Sequence, residues 1–147
     1  MKPYLDGGFL LVLLSQSRGT KTASTILQKL SPPIEINFLH QLQVENMLIR
    51  FQKSEEEHLQ VGSNQGLRLW NHYLQEGVFT LTPADWEKAF RNAITWNRHT
   101  QDAPPTAWLF LHPALALSAG VTHFCSFDPR TRAMAQSHGI RLIPGRV

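Results

Sequence analysis

Val121-Thr122-His123-Phe124-Cys125-Ser126-Phe127-Asp128-Pro129 is the stretch whose reading decides the fold. Its first seven residues are mostly apolar or small, and they run straight into an acid followed by proline. A short run of this kind suits a strand buried on both faces. Asp before Pro suits a helix start, because the carboxylate caps free amides and proline tolerates the first helical position, where no amide hydrogen is needed. The helix so opened closes at Gly139, and Ile140 to Ile143 supplies another strand. A strand, a helix and a second strand in sequence imply parallel pairing, since the helix carries the chain back along the sheet.

Working outward, the start of the chain repeats the arrangement. Tyr4-Leu5 reads as a short buried strand, Asp6-Gly7-Gly8 as a tight turn and Phe9 to Leu14 as the start of an apolar helix. Thr20 to Leu30 is a second helix, with Ala23, Ile26, Leu27 and Leu30 at helical spacing, and Ser31-Pro32-Pro33 breaks it. Ile34 to Phe38 alternates as a strand. His40 to about Glu57 is helical, with Val44, Met47, Leu48 and Phe51 on one face, and Gly62 separates it from a helix near Asn64 to Gln75. Val78 to Leu81 is a strand, and Thr82-Pro83-Ala84-Asp85 signals a helix start with Thr82 as the capping hydroxyl and Pro83 at the first helical position. Trp86, Phe90, Ala93 and Ile94 line that helix. A polar loop from His99 to Pro105 leads to an apolar helix, Thr106 to Ala119, ended by Gly120. The expected class is therefore α/β: one domain over residues 1–147, with a central, mostly parallel sheet covered on both faces.

Composition sets outer limits. A chain of 147 residues that is 42% hydrophobic can bury a real core. No apolar run approaches the ~18–20 residues of a membrane span, and Phe9 to Leu14 makes a poor signal peptide, so no membrane association and a cytoplasmic location are expected. Cys125 is the single cysteine, which leaves no disulfide within the chain and no Cys-rich zinc site. The formal charge of +3 is compatible with a phosphate backbone as partner, although the basic residues are scattered rather than gathered in a stripe.

In parallel sheets, ligands sit beyond the carboxyl ends of the strands. Asp6 and Asp128 both fall at such an end. Cleavage of a phosphodiester with Mg²⁺ or Mn²⁺ needs several converging carboxylates to hold the ion and neutralise the scissile phosphate. Two are a start, and usually too few without help.

Four segments in order carry a resemblance. Tyr4-Leu5-Asp6 precedes an apolar helix. Next comes His40-Gln41-Leu42-Gln43-Val44-Glu45-Asn46-Met47-Leu48, then Leu109-Phe110-Leu111-His112-Pro113-Ala114-Leu115-Ala116, and finally the strand ending in Phe127-Asp128. Together with the last helix and strand they resemble the PIN-domain family, of the VapC-type toxin-ribonuclease kind, over essentially the whole chain. The resemblance implies a three-layer α/β/α fold and four acidic metal-site positions. Asp6 and Asp128 occupy the first and fourth. Gln43 stands at the second and Leu109 at the third, while Gly7 and Gly8 replace the polar residues that follow the first acid. Amide for carboxylate keeps an oxygen but loses its charge, and leucine supplies no oxygen at all. Each tenfold loss of affinity is ~1.4 kcal/mol, and losing two acids is expected to weaken the ion by more than one such step. Metal binding at Asp6 and Asp128 is thus expected to be weak or absent. No cofactor is expected, with Mg or Mn the ion if any activity remains. Glu45 lies roughly 200° around the helix from Gln43 and is expected to point away, while Asp102 could compensate from its loop.

The leading function is then a pseudo-nuclease that binds RNA or a protein partner, an antitoxin-like segment or a second copy of itself. Two alternatives stay open. One is a residual endoribonuclease using Asp6, Asp128 and either Asp102 or Glu45. The other is an assembly subunit that dimerises through a helix carrying Leu67, Trp70 and Tyr73. Asp128 also reads as a helix cap, Asp6 as a cap for the following helix, His112 as a core histidine and His40 as a packed or capping group. Cys125 reads as a small core residue. Trp108 is a candidate for base stacking, and Arg18, Lys21, Arg130 and Arg132 are candidates for phosphate contacts.

Overall fold

A computed structural model describes residues 1–99 and 108–145. In chain order the elements are β1 (Pro3–Leu5), α1 (Gly7–Leu14), α2 (Thr20–Gln28), β2 (Ile34–Ile36), α3 (Phe38–Gln52), α4 (Glu57–Gln75), β3 (Phe79–Leu81), α5 (Trp86–His99), α6 (Trp108–Ser118), β4 (His123–Cys125), α7 (Pro129–Ser137) and β5 (Arg141–Ile143). The class is mixed α/β, and every described strand pair is parallel. The strands form two small sheets, β1-β4-β5 and β2-β3. They belong to two compact units: residues 1–6 with 83–147, and residues 7–82.

In the unit that holds both chain ends, β4 is the central strand, with Leu5 opposite Cys125 and Cys125 opposite Ile143. Tyr4, Leu5, Phe124 and Cys125 are buried, as strands covered on both faces require. The Tyr4 ring stacks on Phe124 at 5.7 Å, and its hydroxyl pairs with His112 Nδ1 at 2.9 Å. His112 is therefore a satisfied core histidine. It sits on α6, where Phe110 through Ala116 are all buried, as befits a helix apolar on every side. Pro113 within α6 has no amide hydrogen to offer the Leu109 carbonyl one turn earlier. In this unit two glycines end helices in the left-handed region that side-chain-bearing residues avoid: Gly120 (φ 62°) after α6 and Gly139 (φ 81°) after α7.

In the other unit, α1 packs against α2, α3 and α4. Here the expected helix boundaries are corrected. Gly7 and Gly8 form no turn and are the first two residues of α1. Gly62 is no break: α4 runs through it, and the interruption falls after Gln52, where Lys53 ends α3 and α4 begins at Glu57. Gly66 of α4 serves close approach instead. A β-carbon at Gly66 would lie 2.5 Å from the Leu14 carbonyl oxygen and 3.1 Å from the Leu48 side chain. Asn37 caps α3 in a reciprocal box, its Oδ1 accepting from the Leu39 amide at 3.1 Å while His40 Nδ1 accepts from the Asn37 amide at 3.1 Å. The predicted cap at Thr82 is also corrected. Thr82 bonds the Ile36 carbonyl through its amide (2.8 Å) and hydroxyl (3.3 Å), whereas Asp85 caps α5 by accepting from the Lys88 amide at 3.0 Å. Among the described residues no helix is long and apolar enough to cross a membrane.

Candidate functional site

Asp6 and Asp128 follow neighbouring parallel strands, so pairing alone brings them to one end of the three-stranded sheet. The Asp6 amide extends the ladder by donating to the Cys125 carbonyl at 3.0 Å. Its carboxylate is buried, 3% exposed. Two hydroxyls absent from the sequence reading link the acids. The Asp128 amide donates to Ser126 Oγ at 3.0 Å, Ser126 Oγ lies 2.9 Å from Thr131 Oγ1, and Thr131 Oγ1 lies 3.3 Å from Asp6 Oδ2. Each hydroxyl carries one proton, so the satisfied arrangement is directional. Ser126 donates to Thr131, and Thr131 donates to the Asp6 carboxylate, sharing its proton with the Asp128 carbonyl at 3.2 Å. The pattern Ser126-Phe127-Asp128-Pro129-Arg130-Thr131 carried the signal, as hydroxyls on both sides of a helix cap.

Asp128 has other partners. Its Oδ1 accepts from the Arg130 amide at 2.8 Å, so the capping reading holds. Arg130 then folds back, placing Nη2 2.9 Å from Oδ2 and Nε 3.2 Å from Oδ1. This side-chain hydrogen bond, with the helix amides and the guanidinium charge, holds the Asp128 carboxyl below the usual range, against the opposing effect of partial burial. Arg132, a candidate for phosphate contact, does lie at the strand ends but is buried. Its guanidinium donates to the Ser126 carbonyl at 2.9 Å and the Pro144 carbonyl at 2.7 Å, satisfying strand-end oxygens. It is therefore a structural cation rather than a surface one. Cys125 sits beside this cluster with its thiol pushed up to about 12, first by burial and then by the Asp6 charge, with Arg132 opposing. The thiol stays protonated, as expected for a core residue.

The remaining candidates are dispersed. Leu109 is half-buried in the first turn of α6. Trp108 beside it is 62% exposed and lines an apolar groove of about 240 Å³ with Phe90, Ala93, Ile94 and Leu111. In the other unit, Gln43 is half-buried on α3. Glu45 accepts from Gln41 Nε2 at 2.9 Å and from Trp70 Nε1 at 3.4 Å, so it is engaged within its own unit. Trp70 itself is fully buried against Phe79 and offers no surface for dimerisation. Asp102 lies outside the described residues. Among those described, no group of three or more His, Cys, Asp or Glu gathers in a way that could hold a metal ion.

Comparison with protein-family models, with curated proteins and with solved structures finds no match to the chain.

Proposed function

We propose that the chain is a PIN-type domain, three α/β/α layers about a mostly parallel sheet, whose acidic site no longer catalyses and which works by binding RNA or a protein partner. One observation carries the reading: both surviving acids already have partners. Asp128 is neutralised by Arg130 and caps α7, while Asp6 is buried and accepts from Thr131. A hard divalent cation favours anionic oxygens, and it would have to displace Arg130 to reach Asp128. The donor set around these two acids within their unit fits Mg²⁺ or Mn²⁺ poorly, so no catalytic step is routed through an ion.

Charge distribution supports RNA as a partner. The unit with both chain ends holds eight Lys and Arg against five Asp and Glu, and the other unit six against six, so the whole excess lies in one. The protein partners that the resemblance implies are an antitoxin-like segment or a second copy. The deciding experiment incubates the purified chain with RNA and Mn²⁺, beside Asp6→Asn. The expected result is no cleavage by either protein and salt-sensitive RNA binding by both. Mn²⁺-dependent cleavage that Asp6→Asn abolishes would establish the residual endoribonuclease instead. A dimer with no RNA affinity and no cleavage would favour the assembly subunit.

A further inference from the structure

The groove between α5 and α7 has a chemistry of its own. Trp96 of α5 lies against His138 at the end of α7, with ring centroids 4.0 Å apart and planes at 39°. His138 Nδ1 is 2.9 Å from the Met134 carbonyl oxygen, which accepts its proton and leaves Nε2 for another partner. His99 repeats the device, with Nδ1 2.7 Å from the Thr95 carbonyl. Arg130 completes the lining, its side chain 59% exposed; Asp128 engages its Nε and Nη2, which leaves Nη1. Ala133 and Met134 supply apolar surface. No carboxylate is among the described lining residues, although Asp128 stands behind Arg130. The volume, about 410 Å³, falls within the ~300–1,000 Å³ of small-ligand sites.

We infer that this groove binds one nucleotide of a single-stranded RNA, its base on Trp96, its phosphate toward Arg130 and its ribose hydroxyls toward His99 and His138. An indole face accepts any base by stacking, the guanidinium donates to phosphate, and each imidazole Nε2, an acceptor once Nδ1 has given its proton to a carbonyl, suits a ribose hydroxyl. An acidic peptide would use the guanidinium and leave the aromatic plane idle. The inference gives the RNA side of the proposed function a place, and it rests on that side alone, not on the loss of catalysis.

The test is an anisotropy titration of a labelled adenylate decamer with the full chain, with unlabelled AMP in a parallel arm. Trp96→Leu keeps apolar bulk and loses the π face. It should weaken binding about 5- to 150-fold, which is the ~1–3 kcal/mol of base–aromatic stacking at ~1.4 kcal/mol per tenfold. Trp96→Phe should recover most of that loss, and Arg130→Gln should reduce the salt slope by about 0.7. On the unmodified protein, RNA should shift the indole amide resonance of Trp96 and leave that of buried Trp70 in place, a readout that needs no variant to fold. Binding of AMP without the decamer would support the groove and name a free nucleotide as its ligand. Decamer binding that survives Trp96→Leu but falls with Trp108→Leu would overturn the inference while sparing the RNA reading. Failure of both probes to bind would sink both.

Discussion

Replacing Thr131 with valine removes one oxygen and keeps the side-chain shape. That oxygen lies 2.9 Å from Ser126 Oγ, 3.3 Å from Asp6 Oδ2 and 3.2 Å from the Asp128 carbonyl oxygen. With a single proton, it makes one donated and one accepted bond rather than three full ones. A bond to an ionised acceptor contributes ~1.5–3 kcal/mol and a neutral one ~0.5–1.5 kcal/mol. The long approach to Asp6 sets the first near its lower limit, so Thr131→Val should destabilise the fold by about 2–3 kcal/mol. For a chain of this size that is roughly 5–10 °C in Tm. Thr131→Ser is the control: it keeps the hydroxyl and loses a methyl group, for about 0.8 kcal/mol. Urea and thermal unfolding of the three proteins measure the difference. If Thr131→Val were within ~0.5 kcal/mol of the parent, or milder than Thr131→Ser, the hydroxyl relay would not be what holds Asp6.

The remaining expectations concern particular contacts. Gly66→Ala gains up to ~1 kcal/mol of helix propensity but sets a methyl 2.5 Å from the Leu14 carbonyl, so a net loss of about 1–3 kcal/mol should appear in urea unfolding. Asp128→Ala should cost about 1 kcal/mol near pH 7 by removing the α7 cap. Because the folded carboxyl is held below its ordinary value, this contribution is complete above the unfolded value of about 4 and is lost as pH falls through the folded one; stability curves of the two proteins should converge in acid. With its thiol at about 12, Cys125 exposes only ~10⁻⁴ thiolate near pH 8, so a disulfide reagent should modify it at the rate of unfolding rather than directly.

Local punctuation made much of this legible. Asp128-Pro129, Gly120 and Gly139 act through their own backbone, so they mark helix ends wherever the rest of the chain lies, and the place of Asp128 after its strand followed from them. Glycines inside helices misled for the opposite reason. Gly62 looks like a breaker, yet α4 runs through it, and the use of Gly66 one turn on, letting two backbones approach, depends on a helix far away in sequence. Thr82 reads as a cap until the Ile36 carbonyl is seen to claim it. At the strand ends the acids could be named, but not all of their partners. Arg130 is two residues from Asp128, near enough to be legible, whereas Thr131 meets Asp6 across 125 residues. That Arg132 is buried likewise depends on carbonyls that only the sheet assembles.

Manganese binding tests the central claim most directly. In a paramagnetic resonance titration of the full chain, the signal of free Mn²⁺ should stay undiminished as protein is added, and Asp6→Asn should behave identically. Stoichiometric loss of that signal with the parent protein, restored by Asp6→Asn, would show that the two acids still hold an ion and would contradict the account.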